Sequence, residues 1–248
     1  MDDDTKTNET NVNLSPYPYE KAAAIAIEKT LDATEKFLSK LMSPALEEAG
    51  GILKDQMAYW RQARALKLIE KMRKKLMEQG HEDYYAPPRL IQTGIDHGSL
   101  VDPGELQEMW AGLLASSCTE DGTDDSNVIF MSILDQLTRP QAKILRYACE
   151  TAEKKRSAHG LIYAEYLEVS LGDLVRISEI NDIQRLDREL DRLRSLELIG
   201  GGFPLQIGTP EETVAAPESA DISPSGLSLQ LYVRCEGSQE SPLKFFGI

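Results

Sequence analysis

Asp102-Pro103-Gly104-Glu105-Leu106-Gln107-Glu108-Met109-Trp110-Ala111-Gly112-Leu113-Leu114-Ala115 carries the clearest structural signal in this chain of 248 residues. Its first four residues have the spacing of a capping box, an acid followed three positions later by a glutamate. They feed Leu106, Met109, Trp110, Leu113 and Leu114, a row at i, i+3, i+4, i+7 and i+8 that only a helix gathers on one face. Met109 and Trp110 are therefore expected in a core.

Helical periods extend outward on both sides. Upstream, Ala24, Ile27, Leu31, Thr34, Leu38 and Leu41 recur in steps of three and four. Ser43-Pro44 restarts the chain with an N-cap and a proline at the first helical position, and Gly50-Gly51 predicts a weak point or a close helix contact in that second helix. Ile52 to Gln79 follows as the longest helical pattern, with Trp60, Ala63, Leu66, Ile69, Met72 and Leu76 as its apolar stripe and Gly80 as its stop. A short helix is expected from Arg89 to His97, after Pro87-Pro88, and another around Phe130, Ile133, Leu134 and Leu137. No strand is expected before residue 138.

Downstream the pattern changes. Thr138-Arg139-Pro140-Gln141 is a second capping box, opening a helix with Ile144, Leu145, Ala148 and Ala152 as its apolar positions and Lys154, Lys155 and Arg156 at its close. Ser170 caps a short helix to Ile177. Ile183, Leu186, Leu190, Leu193 and Leu196 line a longer helix, which Gly200-Gly201-Gly202 should end. Ser223-Pro224 caps the stretch from Leu227 to Cys235, whose alternating Leu227, Leu229, Leu231 and Val233 fit a strand as well as a helix. Helix, short helix, turn, longer helix, glycine-rich strand and extended loop, in that order, is the plan of a winged helix-turn-helix unit. The expected fold class is mainly α, an N-terminal multi-helix domain followed by a small winged-helix-like α+β domain. The expected organisation is an acidic disordered tail over 1–19, a helical domain over 20–137, a winged-helix-like domain over 138–236 with a flexible 205–222 loop, and a C-terminal tail over 237–248.

Composition bounds the function. The longest purely apolar run, Ala22 to Ile27, is six residues, against about 20 needed to cross a bilayer. The acidic start at Asp2-Asp3-Asp4 is unlike a secretory signal. Three widely spaced cysteines, Cys118, Cys149 and Cys235, suit free thiols in a reducing compartment, so a cytoplasmic protein is expected. The three histidines have no metal-ligand spacing, and no glycine-rich loop opens a helix with a following Lys-Ser or Lys-Thr; no metal and no cofactor are expected. Asp96, His97 and Ser99 contain the residue types of a catalytic triad, but sequence neighbours rarely converge in space. No catalytic constellation is visible, and a non-enzymatic protein is expected.

The net charge of −14 is unevenly spread: −4 over residues 1–20, +4 over 21–81, −10 over 82–135 and −4 over 136–248. Nucleic acid or anionic lipid would thus have to be met by a local basic stripe. One candidate is Arg61, Arg64, Lys67, Lys71, Lys74 and Lys75 on the helix 57–79, which could lie on an anionic surface; the plainer reading pairs those cations with the −10 segment that follows. A second is Arg185, Arg188 and Arg192 at i, i+3 and i+7, a possible recognition-helix face. Asp182, Asp187, Glu189 and Asp191 interleave with them, and Asp182 with Arg185 and Glu189 with Arg192 are the expected ion pairs. The third is a helix-association seam, Ala24, Ile27, Leu31, Leu38 and Leu41.

Certain runs also point to a family. Ser43-Pro44-Ala45-Leu46-Glu47-Glu48-Ala49-Gly50, Trp60-Arg61, the Leu106 to Ala115 stretch, Leu134-Asp135-Gln136-Leu137-Thr138 and Ile222-Ser223-Pro224-Ser225-Gly226-Leu227 through Leu231-Tyr232 to Cys235 together resemble the abortive infection alpha family of bacterial proteins, over about residues 20–236. The resemblance implies an all-helical bacterial protein associated with defence against phage, with no catalytic residues to carry over. The expected function is a non-enzymatic antiphage protein working through a protein partner or self-association, with nucleic acid an improbable ligand. The alternatives are a winged-helix transcriptional regulator and a membrane-associating effector built on the basic helix.

Overall fold

The computed structural model describes residues 33, 34, 36–38, 40, 59–81, 83–204 and 217–248. The expected tail 1–19, the Ser43-Pro44 restart, Gly50-Gly51 and most of the 205–222 loop lie outside them. Described residues between 33 and 40 are helical, and Leu38 is fully buried.

The first half is built around one helix. α1 (Tyr59–Gln79) stops at Gly80, whose φ of +71° glycine tolerates without strain. α2 (Pro88–Gly98) begins with proline in its first turn, where a missing N–H costs nothing. α3 (Glu105–Ser116) is the stretch quoted above, and ten of its twelve residues are buried. Such a helix must be surrounded, and α3 touches α1, α2, α4 (Val128–Leu134) and α5 (Arg139–Thr151). The expected capping box at its start does not form: Gly104 is the N-cap and no side chain caps it. Asp102 is instead drawn to Arg64 of α1, and Glu105 to Arg146 of α5. The buried row of α1 keeps the expected Ile69, Met72 and Leu76 but departs from the expected one toward the start of the helix. Ala65, Leu68, Ile69, Met72 and Leu76 face inward, whereas Trp60 is 50% exposed. Its ring lies 4.8 Å from the Arg64 guanidinium, a cation–π contact that an exposed indole can make.

The second half opens on the Thr138/Gln141 capping box, which forms as the sequence predicts. Lys154–Arg156 do not close α5, which ends at Thr151. They form β1 (Lys154–Arg156), antiparallel to β2 (Ile162–Ala164). Ala152 has an extended conformation that stops the helix and turns the chain into the hairpin. β3 (Glu168–Ser170) leads into α6 (Leu171–Ser178), capped by Ser170 as expected. α7 (Ile183–Ser195) ends before the triple glycine, because Glu197 already takes a φ of +58°. Beyond it, Gly200 N–H donates to the Ser223 carbonyl and Asp221 N–H to Gly202, so the chain returns alongside itself. β4 (Ser219–Asp221) pairs antiparallel with β3, which removes 219–221 from the expected flexible loop.

The ambiguous stretch is helical: α8 (Gly226–Cys235). Leu229, Leu231, Val233 and Cys235 are all buried because α8 is covered on more than one side by α3, α5, β2 and α9 (Pro242–Phe245), which explains a period of two inside a helix. Its N-cap is Ser225 rather than Ser223, whose hydroxyl is committed to Leu167 N–H and Asp221. The expected C-terminal tail contains α9, and Phe245 and Phe246 contact the Tyr232 ring at centroid distances of 6.2 and 6.1 Å. One buried cluster runs from Leu38 to Cys235, across the expected boundary at residue 138.

Candidate functional site

The six cations of α1 have different fates. Arg61 Nε donates to Ser99 Oγ (2.9 Å), and its terminal nitrogen donates to the Asp96 carbonyl (2.9 Å) and carboxylate (3.1 Å). Arg64 pairs with Asp102, and Lys71 donates to Gln107 (2.9 Å) and meets Glu108 (2.8 Å). Lys75 reaches Glu236 after α8. Three of these acids belong to the −10 segment, the plainer of the two pairings open in sequence. Lys74 is left with only an exposed i, i+4 partner, Glu78, and Lys67 has no partner among the described residues.

On α7 the expected ion pairs are exchanged for others. Asp182 spends an oxygen on the Gln184 N–H as the N-cap, so Arg185 turns to Glu189 at 3.8 Å. Glu189 is not on the exposed face at all. It is 7% exposed and accepts from Thr138 Oγ1 (2.9 Å) and Gln141 Nε2 (2.7 Å), tying α7 to the start of α5. Arg192 donates to Gln136 (2.7 Å), Arg194 pairs with Asp191, and Arg188 has no partner among the described residues. Of the association seam, Ala24, Ile27, Leu31 and Leu41 lie outside the described residues; Leu38 is buried in the same core as α1.

The residues Asp96, His97 and Ser99 separate as α2 turns. Asp96 and Ser99 hold Arg61, while His97 points the other way and meets Asp135, just past α4. This pair closes one end of a groove between α2 and α4 with a cavity of about 240 Å³. α2 lines it with Arg89, Leu90, Thr93 and His97, and α4 and its end line it with Val128, Met131, Ser132 and Asp135. Each set is spaced in threes, fours or adjacent steps, one face of one helix. Leu90 and Met131 supply buried apolar wall, and the His97 ring stands 6.0 Å from that of Trp110. Asp135 on Nδ1 fixes the imidazole and leaves Nε2 as its free nitrogen. Arg89, Thr93, Ser132 and His97 Nε2 have no protein partner among the described residues.

Sequence reasoning missed this groove because neither helix looks unusual by itself. The signal was Arg89, the one cation among eleven acids between residues 82 and 135, together with polar Thr93 and His97 in register with it on a short helix. No cluster of three or more His, Cys, Asp or Glu suited to a metal occurs among the described residues. Burial pushes the Cys118 and Cys149 thiols up to about 12 and the Cys235 thiol in the same direction, away from reactivity. No described helix is long and apolar enough to cross a membrane.

A family model described as Abortive infection alpha matches residues 61–222, from the first turn of α1 to the end of β4. The match takes in both walls of the groove and all of α3. No curated protein and no solved structure matches the chain.

Proposed function

The chain belongs to the abortive infection alpha family, and from that premise we propose that it is a cytoplasmic, non-enzymatic protein of antiphage defence that works by binding a protein partner or by self-association. The observation that carries the interaction is the β1–β2 hairpin and the link to β3, where Leu161 is 70%, Tyr166 68% and Tyr163 41% exposed. Three large side chains exposed within six residues of chain have the make-up of a protein contact surface, where tyrosine is favoured. Plaque counts on cells with and without the gene test the defence role. The triple variant Leu161→Ser, Tyr163→Ser, Tyr166→Ser tests the surface: protection and the mass by light scattering should both fall while the circular dichroism spectrum stays that of the parent. Unchanged protection and mass would remove the hairpin from the mechanism.

We also propose that residues 138–236 are a winged-helix-like unit docked on the helical unit. Support comes from the order β3, α6, α7, the returning chain at 199–202 and β4, with Ile199 bridged to Pro224 beside the β3–β4 pair. A gene regulator built on this plan would read DNA with α7. Arg185 and Arg192 are engaged within the protein, and Asp187 and Asp191 stand exposed beside Arg188. Like-charge contact with phosphates is penalised, so a gel shift at low salt should show no specific complex. Retention abolished by replacing Arg185, Arg188 and Arg192 with alanine would establish the regulator instead. For the membrane reading, four of the six α1 cations are committed to other elements, and sedimentation with anionic vesicles should leave the protein in the supernatant.

A further inference from the structure

The groove between α2 and α4 has two unlike ends. Arg89 stands in the first turn of α2, and His97 lies eight residues later, about 12 Å along a helix rising 1.5 Å per residue. The cationic end lacks a carboxylate: the sole basic residue of the 82–135 segment ignores all of that segment's described acids. At the far end His97 Nδ1 bonds the Asp135 carboxylate, so a carboxylate and an oriented imidazole ring stand together there. Thr93 and Ser132 contribute free hydroxyls between them, and Leu90, Val128 and Met131 supply apolar wall. These polar side chains line one cavity, reach solvent and bond to nothing else in the described protein, so a ligand could take them up without breaking an existing contact.

We propose that this groove binds a small molecule with an apolar, flat body, an oxyanion at one end and a hydroxyl at the other. The oxyanion sits on Arg89, whose planar guanidinium matches a carboxylate or phosphate with paired N–H donors. The hydroxyl meets the dyad, donating to His97 Nε2. The reverse orientation would set the anion against the Asp135 carboxylate and leave Arg89 without it. A cavity of about 240 Å³ has room for roughly ten to fifteen non-hydrogen atoms. This site is separate from the exposed hairpin and does not rest on the interaction reading.

Titration calorimetry on the full chain tests it with four probes: 4-hydroxybenzoate, 4-hydroxyphenyl phosphate, benzoate and phenol. The two hydroxylated acids should bind one site with a Kd of about 1 mM or tighter; whichever is tighter identifies the oxyanion as carboxylate or phosphate. Benzoate and phenol, each lacking one end, should bind about tenfold more weakly. Arg89→Gln, a change at an exposed position, should erase the advantage of 4-hydroxybenzoate over phenol, while Ser132→Leu should fill the groove and abolish binding of both. Amide chemical-shift changes should map to α2 and α4. No saturable heat at about 10 mM probe, shifts confined to other elements, or an Arg89→Gln variant that keeps the full preference would overturn the proposal. A matching thermal melt for each variant separates lost binding from lost fold.

Discussion

Two helix contacts near α3 are made in opposite ways. Against α8 the approach is so close that a Cβ on Gly112 would lie 1.5 Å from the Cys235 carbonyl oxygen and 2.3 Å from its carbon. Further along α8 the Ser228 hydroxyl bonds the Leu198 carbonyl, and the Cys149 thiol of α5 lies 3.7 Å from the Ser228 carbonyl. Between α2 and α4 the helices stand apart, and the side chains in the gap keep their hydrogen-bonding capacity. The first contact is shaped by removing atoms and the second by leaving polar groups unused. Where a protein spends every donor, the contact holds the fold; where it keeps several unspent at one place, the place is available to a ligand.

The closed contact is the more fragile. Gly112→Ala puts a methyl into backbone, which cannot rotate aside as a side chain would, so α8 must shift and the packing on both its sides must follow. The expected loss is about 3 kcal/mol or more in urea unfolding, at the upper end for overpacking. A loss below about 1 kcal/mol would mean that α8 is free to slide and that the two contacts differ less than their geometry says.

Arg146 is the polar counterpart of that contact. It reaches Glu105 at the start of α3 (3.2 Å), Glu150 on its own helix (2.8 Å) and Glu236 after α8 (3.6 Å). Burial opposes its charge, but the three carboxylates together raise its pKa above that of an ordinary arginine. Arg146→Ala should cost about 1 kcal/mol, since the side chain is about one-third exposed and water screens the pairs. The loss should shrink as salt is added. A salt-independent loss would assign the effect to the arginine's packing stem.

The cysteines give the comparison a pH axis. Burial raises the thiols of Cys118 and Cys149 to about 12 in the folded protein, from 9.0 in the unfolded chain. The folded state then holds protons that the unfolded state releases, so stability is complete below about pH 9 and falls as the pH climbs toward 12. Cys235, in the closed contact, shifts the same way. Unfolding free energy measured from pH 8 to pH 11 should decline, and an Ellman assay at pH 8 should label the native thiols only as fast as the structure opens. Gly112→Ala should accelerate labelling of Cys235. Rapid labelling of the parent would show that the contact breathes without unfolding.

Local chemistry was largely legible in the sequence. The Thr138/Gln141 box and the Ser170 cap need only a few neighbouring residues to form, and both stand as read. Amphipathic period located α2, α3, α4 and α7 within a few residues. What failed depended on distant partners. Asp102 has the spacing of a cap, but Arg64 offers it a charge that the helix end does not match. Glu189 reads as an exposed acid among arginines, but α5 presents two donors to it and draws it inside. The α8 alternation suggests a strand because a helix covered on several sides buries residues that an exposed one would not. The groove belongs to the same class: it exists only when the faces of α2 and α4 are brought opposite each other, and only the isolated Arg89 hinted at it.

The smallest expected effect falls on the open side. Thr93→Val and Ser132→Ala remove hydroxyls that bond to nothing in the protein, so neither leaves a buried donor or acceptor without a partner. Both keep the volume close to that of the parent side chain, and Ser132 is exposed. Each should change the unfolding free energy by less than about 0.5 kcal/mol, the range of surface substitutions remote from structural features. Valine at 93 adds apolar wall and removes a helix-interior hydroxyl, so a slight gain is as consistent as no change. The contrast with Gly112→Ala is then at least several-fold in stability, although both residues lie in interhelical faces. If Ser132→Ala or Thr93→Val cost as much as Arg146→Ala, their hydroxyls would be holding the helices apart through bonds of their own. The groove would then be a structural spacing like the α3–α8 contact, and its polar groups would have no spare capacity for a ligand.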